Sequence, residues 1–382
     1  MMRDFKNIKR IIIKVGSSSL VKKDLSVNFD MLDTILSNFK KLKDLGIDSC
    51  LVTSGAIAVG MNVLNLEKKP TDMSLKQACA AVGQAKLMES YNQVAEKYDL
   101  KLGQILINHD DFQIRNRMIH LSNTLNSMFK NSIIPVINEN DALAIDEIKV
   151  GDNDTLASLI SPMVGADLLI LFSDIDGLYN KNPKIYDDAY MIDEVEKIDE
   201  NIINMGKGAT SKVGTGGMQT KIKAAFIANM RGIDMIICNS NRIKDLVNII
   251  EGEKIGTLFK KSDKIISSKE DWMISKVNPY GIIFVDEYFA LRLKDKKSSI
   301  LPKGIRKIEG EFFKNSIVDI RDINGNLLAR GITNYSSNEI KLIMGHSTSE
   351  IVDILGYKGK NEVIHANNLV MLKDGFYEYF IK

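Results

Sequence analysis

The chain has 382 residues, 45% of them hydrophobic, which suffices for a packed core and sets an expectation of two domains. Its formal net charge of +2 directs no strong field at nucleic acid or a membrane surface, and no apolar run approaches the ~20 residues of a membrane span. Cys50, Cys79 and Cys238 are odd in number and far apart, and Cys50 and Cys238, in apolar strand-like runs, read as buried thiols of a reducing cytoplasm, while His109, His120, His346 and His365 show no metal-ligand spacing.

In chain order, residues 8–15 read as a strand, since the apolar run Ile11-Ile12-Ile13 is too short for a signal-peptide core. The turn Gly16-Ser17-Ser18-Ser19 follows. Its backbone N–H groups and hydroxyls suit an anion, with Lys14 at the strand end aimed at the same spot, although a serine turn capping a helix explains it too. Phe29, Leu32, Ile35, Leu36, Phe39, Leu42 and Leu45 recur at helical spacing, and Gly46 fits the stop. The strand Asp48–Thr53 leads into Ser54-Gly55-Ala56, small residues that permit a ligand close to the backbone or simply tight helix packing.

A long helix is predicted over 73–97, then strands near 102–107, 133–137, 167–172 and 234–238. Short apolar strands alternating with helices predict an α/β fold, a mostly parallel sheet sandwiched by helices, with ligands beyond the carboxyl ends of the strands. The loops 16–19, 53–56, 138–154 and 173–177 all follow strands. Between Ile137 and Asp154 the chain packs six acidic side chains and three asparagines into eighteen residues. A loop needing only solubility has no use for amides interleaved with carboxylates. The mixture suits a small ligand carrying both an ammonium and a carboxylate. Further on, Thr215-Gly216-Gly217-Met218-Gln219-Thr220-Lys221 runs a glycine-rich loop into a helix that carries Lys221 early, able to close over a polyphosphate; it lacks the Walker A spacing. Two lysines and two glycine turns beside an acid-amide cluster are equipment for phosphoryl transfer from a nucleotide to a small amino acid.

The pattern changes near residue 262. Residues 1–262 read as one domain, 263–276 as a polar linker, and 277–372 as a small β-rich domain with strands at Gly281–Val285, Ser316–Ile320 and Leu327–Ile332, the last two joined by an Asn324-Gly325 turn.

The segments Ile13-Lys-Val-Gly-Ser-Ser, Val52-Thr-Ser-Gly-Ala-Ile-Ala58, Pro135-Val-Ile-Asn-Glu-Asn-Asp-Ala142, Ile148-Lys-Val-Gly-Asp-Asn-Asp154 and Gly214-Thr-Gly-Gly-Met218 with Thr220-Lys221 resemble the glutamate 5-kinases, the proline-biosynthesis branch of the amino-acid kinase family. The second domain, with Phe284-Val-Asp286, Ser299-Ile-Leu-Pro-Lys-Gly-Ile305 and Ile351, Ile354-Leu-Gly-Tyr357, resembles a PUA domain. The resemblance covers nearly the whole chain. It implies ATP with Mg²⁺ as the phosphoryl donor and L-glutamate as acceptor. Lys14, Gly16, Ser173, Asp174 and the run Thr215 to Lys221 would bind ATP. Ser54, Gly55, Ala56, Asp141 and Asn153 would line the glutamate pocket. Asp154 would orient Lys14 and Lys221, the pair that neutralises the phosphates. No metal cage in the protein is expected, because Mg²⁺ would be held by phosphates and water. The resemblance also implies feedback inhibition by proline at the loop 138–154, a homo-oligomer, and hand-off of a reactive acyl phosphate to a reductase. Two departures stand out: Ser173 takes the place of a threonine, and Glu287-Tyr288-Phe289 replaces a Gly-Ala-like step.

Two other readings compete. One is a related kinase acting on aspartate or another carboxylate. The other is RNA binding by the second domain, but residues 277–382 hold 15 Lys+Arg against 13 Asp+Glu, without the basic excess usual for RNA binders. A local cluster of Lys294, Lys296, Lys297, Lys303, Arg306 and Lys307 reads as a solvated face.

Overall fold

The computed structural model describes residues 2–5, 7–112, 114–143, 153–207, 217–262, 273, 279–295 and 298–372. The chain divides into two compact units, Met1–Ile265 and Ile266–Lys382, each with its own sheet and core.

The first unit is built on β1 (Arg10–Val15), β2 (Asp48–Val52), β3 (Lys101–Ile107), β4 (Ile133–Glu139), β5 (Leu168–Ser173), β6 (Glu194–Val195), β7 (Asp234–Asn239) and β8 (Thr257–Phe259). They form one sheet in the order β3-β4-β2-β1-β5-β7-β8-β6. All pairs are parallel apart from β7 with β8. Central strands of such a sheet are covered on both faces, so they read as unbroken apolar runs rather than alternating ones. Ile11, Ile12 and Ile13 of β1 are all fully buried. The helices are α1 (Ser17–Leu20), α2 (Phe29–Asp44), α3 (Ala56–Val63), α4 (Met73–Ala95), α5 (Arg115–Lys130), α6 (Asn153–Ile160), α7 (Glu200–Lys207), α8 (Met218–Asn229) and α9 (Leu246–Ile250).

The predicted stripe of α2 is buried at Leu32, Ile35, Leu36, Phe39 and Leu42, whereas Phe29 and Leu45 at its ends are exposed. The Asn28 side chain caps its start by accepting from the Met31 N–H, and Gly46 at φ 72° leaves its end. Residues 16–19, read as a turn, contribute to the short helix α1. Helices α3 and α4 meet through two glycines. A Cβ on Gly60 would lie 1.8 Å from the Cys79 carbonyl oxygen, and one on Gly83 would lie 1.8 Å from that of Ala56. Only glycine allows backbones to approach so closely. The strands β6 and β8, two and three residues long, carried no sequence signal. At the amino-terminal end, the buried Arg3 donates to the carbonyls of Ile255 (2.7 Å), Gly256 (2.7 Å) and Asp193 (2.9 Å).

The second unit has a five-stranded sheet, β9 (Ile282–Val285), β10 (Ile305–Glu309), β11 (Ile317–Asp322), β12 (Leu327–Ile332) and β13 (Leu369–Met371), in the order β10-β9-β11-β12-β13. Only β9 and β11 pair in parallel. The turn between β11 and β12 has Gly325 at φ 88°, and the Asp322 carboxylate accepts from the N–H groups of Asn324 (2.9 Å) and Asn326 (2.8 Å). The Glu287-Tyr288-Phe289 departure opens the helix Glu287–Asp295, capped by Asp286 accepting from the Phe289 N–H at 2.8 Å. Arg330, 1% exposed, donates through Nε to Asp319 at 2.8 Å and through Nη1 to the Met273 carbonyl at 3.2 Å. Met273 is the one described residue of the expected linker 263–276 and is buried with Ile317, Val370 and Leu372.

Candidate functional site

The site grows from the carboxyl ends of adjacent parallel strands. The register sets Lys14 of β1 opposite Val52 of β2 and Leu171 of β5, and Val52 opposite Ile137 of β4. Lys14, Thr53, Asn138 and Ser173 therefore sit at or just beyond the same sheet edge. The helix α6 starts there with Asn153 and Asp154.

Asp154 is 1% exposed, with Lys14 Nζ 2.6 Å from Oδ1 and Lys221 Nζ 2.9 Å from Oδ2. Burial alone would raise its carboxyl. The charges of Lys14 and Lys221, with their hydrogen bonds, outweigh that and hold it at about 2. The three groups carry one positive charge in excess, and both lysines are themselves buried. Lys221 lies in the first turn and a half of α8, whose start is tightened by the Thr220 hydroxyl donating to the Gly217 carbonyl at 2.8 Å.

Asn153 joins this charge cluster to a neutral pocket. Its Nδ2 donates to the Thr53 carbonyl (2.7 Å), the Ser54 Oγ (2.8 Å) and the Asn138 Oδ1 (3.0 Å). Gly55 has φ 99°, a left-handed backbone that only glycine adopts without strain, and it leads into α3 at Ala56. Asp141 lies half-buried in the turn after β4. Ser173 ends β5, with its Oγ donating to Asp174 Oδ1 at 2.9 Å.

The structure thus brings together Lys14, Asp154 and Lys221, and separately Ser54, Asn153 and Asn138. Gly16 precedes α1, and a Cβ there would lie 3.8 Å from Lys14 Nζ, an ordinary contact. Gly217, Met218, Gln219 and Thr220 belong to the start of α8. Thr215 and Gly216, and residues 144–152 of the acidic loop, lie outside the described residues. Sequence reasoning missed the buried polar groups that pack behind these residues. The Thr53 hydroxyl and the Tyr91 phenol bond each other at 2.9 Å, and Gln84 accepts from Asn138 Nδ2 at 2.9 Å. Burial pushes the Tyr91 phenol up, so it stays protonated. The signal that could have found Gln84 is its place after Gly83, a helix-interior glycine that implies close packing.

Among the described residues no group of three His, Cys, Asp or Glu converges on a metal position, and no helix is long and apolar enough to cross a membrane. In the second unit, Arg306 pairs with Asp286 (2.8 Å) and Lys307 with Glu309 (2.6 Å). The Lys294 side chain and residues 296–297 lie outside the described residues.

The family model described as the amino acid kinase family matches residues 9–239, and that of the PUA domain matches residues 281–355. A protein of Caldanaerobacter subterraneus subsp. tengcongensis named glutamate 5-kinase is 44% identical over 366 residues, 96% of this chain and 98% of that protein. A Thermoanaerobacter protein of the same name is 42% identical over 96% of this chain and 98% of its own length. Among solved structures, a UMP kinase from Bacillus anthracis is 15% identical with a TM-score of 0.48, covering 67% of this chain and 97% of that one. The chain belongs to the amino acid kinase family, within the branch of the glutamate 5-kinases, and carries a PUA domain after its kinase domain.

Proposed function

We propose that the chain transfers the γ-phosphoryl group of ATP to the side-chain carboxylate of L-glutamate, giving L-glutamyl 5-phosphate and ADP, the first step of proline biosynthesis. One observation carries this reading. Asn153 and Asp154 are neighbours at the start of α6, and one faces amides and a hydroxyl while the other is locked between two lysines. A single helix start therefore couples a pocket for a polar amino acid to a positive centre suited to a transferring phosphoryl group.

The acceptor carboxylate has a pKa of about 4.3 and is ionised at neutral pH, so the reaction needs no general base. An oxygen of that carboxylate attacks the γ-phosphorus in line, and the bond to the bridging oxygen of ADP breaks. Lys14 and Lys221 neutralise charge on the phosphoryl oxygens, and Asp154 keeps both ammonium groups aimed. Ser173, Asp174 and the segment Thr215 to Lys221 hold the nucleotide, with Gly16 at the phosphates. Ser54, Gly55, Ala56, Asp141 and Asn153 hold glutamate, Asp141 facing its α-ammonium. Mg²⁺ bound by the phosphates and water adds further charge neutralisation. Proline, a cyclised relative of glutamate, acts as a feedback inhibitor at the loop 138–154, and equal activity with and without millimolar proline would sink that point. The acyl phosphate is handed to a reductase, and the active protein is a homo-oligomer.

The test is ATP-dependent acyl-phosphate formation, trapped with hydroxylamine, on L-glutamate, L-aspartate and N-acetyl-L-glutamate in parallel. Activity confined to free glutamate is expected. Preference for either other substrate overturns the pocket assignment.

A further inference from the structure

Gln84 of α4 and Gln104 of β3 touch none of the groups assigned to ATP or glutamate, yet they end a one-way chain of amides. Asn153 Nδ2 donates to Asn138 Oδ1 (3.0 Å), Asn138 Nδ2 to Gln84 Oε1 (2.9 Å), and Gln84 Nε2 to Gln104 Oε1 (3.0 Å). Asn138 and Gln84 are 1% and 7% exposed. An amide can in general be turned over, exchanging its donor and acceptor ends. Here two backbone groups oppose it, together with the acceptor that Gln84 offers Asn138. The Glu139 N–H, which can only donate, points at Asn138 Oδ1 at 3.0 Å. The Thr53 carbonyl, which can only accept, meets Asn153 Nδ2 at 2.7 Å. Gln84 reaches this row because Gly60 and Gly83 let α4 close onto α3.

We propose that Gln84 is a positioning residue for substrate selection. By accepting from Asn138 it holds the Asn138–Asn153 pair in the one orientation that commits the Asn153 Nδ2 hydrogens to the protein and leaves Oδ1 as the end offered to a ligand. An amide oxygen accepts from the α-ammonium of a free amino acid, whereas a turned amide would set N–H groups against it. The inference rests on the reading of Asn153 and Asp141 as the amino-acid pocket. It extends that pocket to a residue with no ligand contact, and gives it a selection for acceptors bearing a free ammonium.

The test compares Gln84→Met with Gln84→Glu in the full-length enzyme. Methionine leaves Asn138 Nδ2 buried without its acceptor. The KM for glutamate should rise about tenfold, with kcat and the KM for ATP within about twofold. The preference for glutamate over glutarate, which lacks the ammonium, should fall by about the same factor. Glutamate at position 84 still accepts from Asn138, and the exposed Gln104 can turn to donate, so Gln84→Glu should bring the KM back within about threefold of wild type. An unchanged KM in Gln84→Met overturns the proposal, as does a parallel loss in kcat and ATP affinity, or a Gln84→Glu enzyme no better than Gln84→Met. If Gln84→Met fails to fold, Gln104→Met carries the test: a KM rise of about twofold is expected, and none overturns it. Asn153→Ala separates the two levels. If it leaves the glutamate KM unchanged, the pocket reading has failed; if it raises KM while Gln84→Met does not, only the role of Gln84 has failed.

Discussion

Asp154 in the first unit and Asp319 in the second are both nearly inaccessible, 1% and 5% exposed, and both lie against cations. At Asp319 the buried partner is Arg330, whose guanidinium also donates to the Met273 carbonyl, while the partly exposed Arg321 lies 3.8 Å from the other carboxylate oxygen. At Asp154 two lysines, both buried, share one carboxylate at 2.6 and 2.9 Å. One buried guanidinium with a second left partly in water makes a structural tie; two buried ammonium groups drawn to one carboxylate suit a site that receives an anion. The carboxylates are buried alike in the two places, and the burial and distance of the second cation separate them.

The comparison can be broken in four ways. Arg330→Ala removes the buried partner of Asp319, leaving Arg321 at 3.8 Å, and should destabilise the second unit by about 3–5 kcal/mol, seen as an earlier unfolding transition in denaturant, with kcat and glutamate KM unchanged below it. Lys14→Ala or Lys221→Ala should instead lower kcat by about 10²–10³-fold, as loss of a group that stabilises transition-state charge. Stability should change little, since the other lysine still pairs with Asp154; a large loss of stability with intact kcat would reverse the roles of the two clusters. Asp141→Ala should raise the glutamate KM about tenfold with a smaller change in kcat, and an unchanged KM removes Asp141 from the pocket. The smallest effect is on pH. Because folding depresses the Asp154 carboxyl to about 2, its contribution is complete above the unfolded value near pH ~4 and is lost as pH falls toward ~2. Denaturant midpoints across that window should fall less steeply in Asp154→Asn than in wild type.

Much of this was legible in the sequence where one physical signal dominated. The runs Ile11–Ile13 and Leu168–Phe172 could be little else than buried parallel strands, and the heptad-like spacing of α2 fixed its buried face. The charged and amide residues after β1 and β4 identified a polar site because their types are costly in a core. Less was legible where the signal was short or ambiguous. Residues 194–195 and 257–259 are too brief for any periodicity, and the two strands they form run opposite to the rest of the sheet. The helix Glu287–Asp295 stood in a segment read as β-rich, although Asp286 before Glu287 is a capping signal. Gln104 gives no sign in the sequence and Gln84 only the glycine before it, because a lone glutamine on a helix or strand reads as surface; the fold shows that Gln84 is buried against Asn138.

The clamp of Arg3 on the turn before β8 has a consequence in time. Arg3 and Ile255 stand 252 residues apart. A ribosome adding about 5–20 residues per second takes roughly 10–50 s to cover that distance. For roughly two-thirds of that interval, until β5 is made, Ile11, Ile12 and Ile13, just after the unclosed clamp, wait without their partner on one side. The triplet that ends up fully buried at the centre of the sheet is the stretch a nascent chain has longest to keep from other chains, and its protection depends on how fast the rest of the unit emerges.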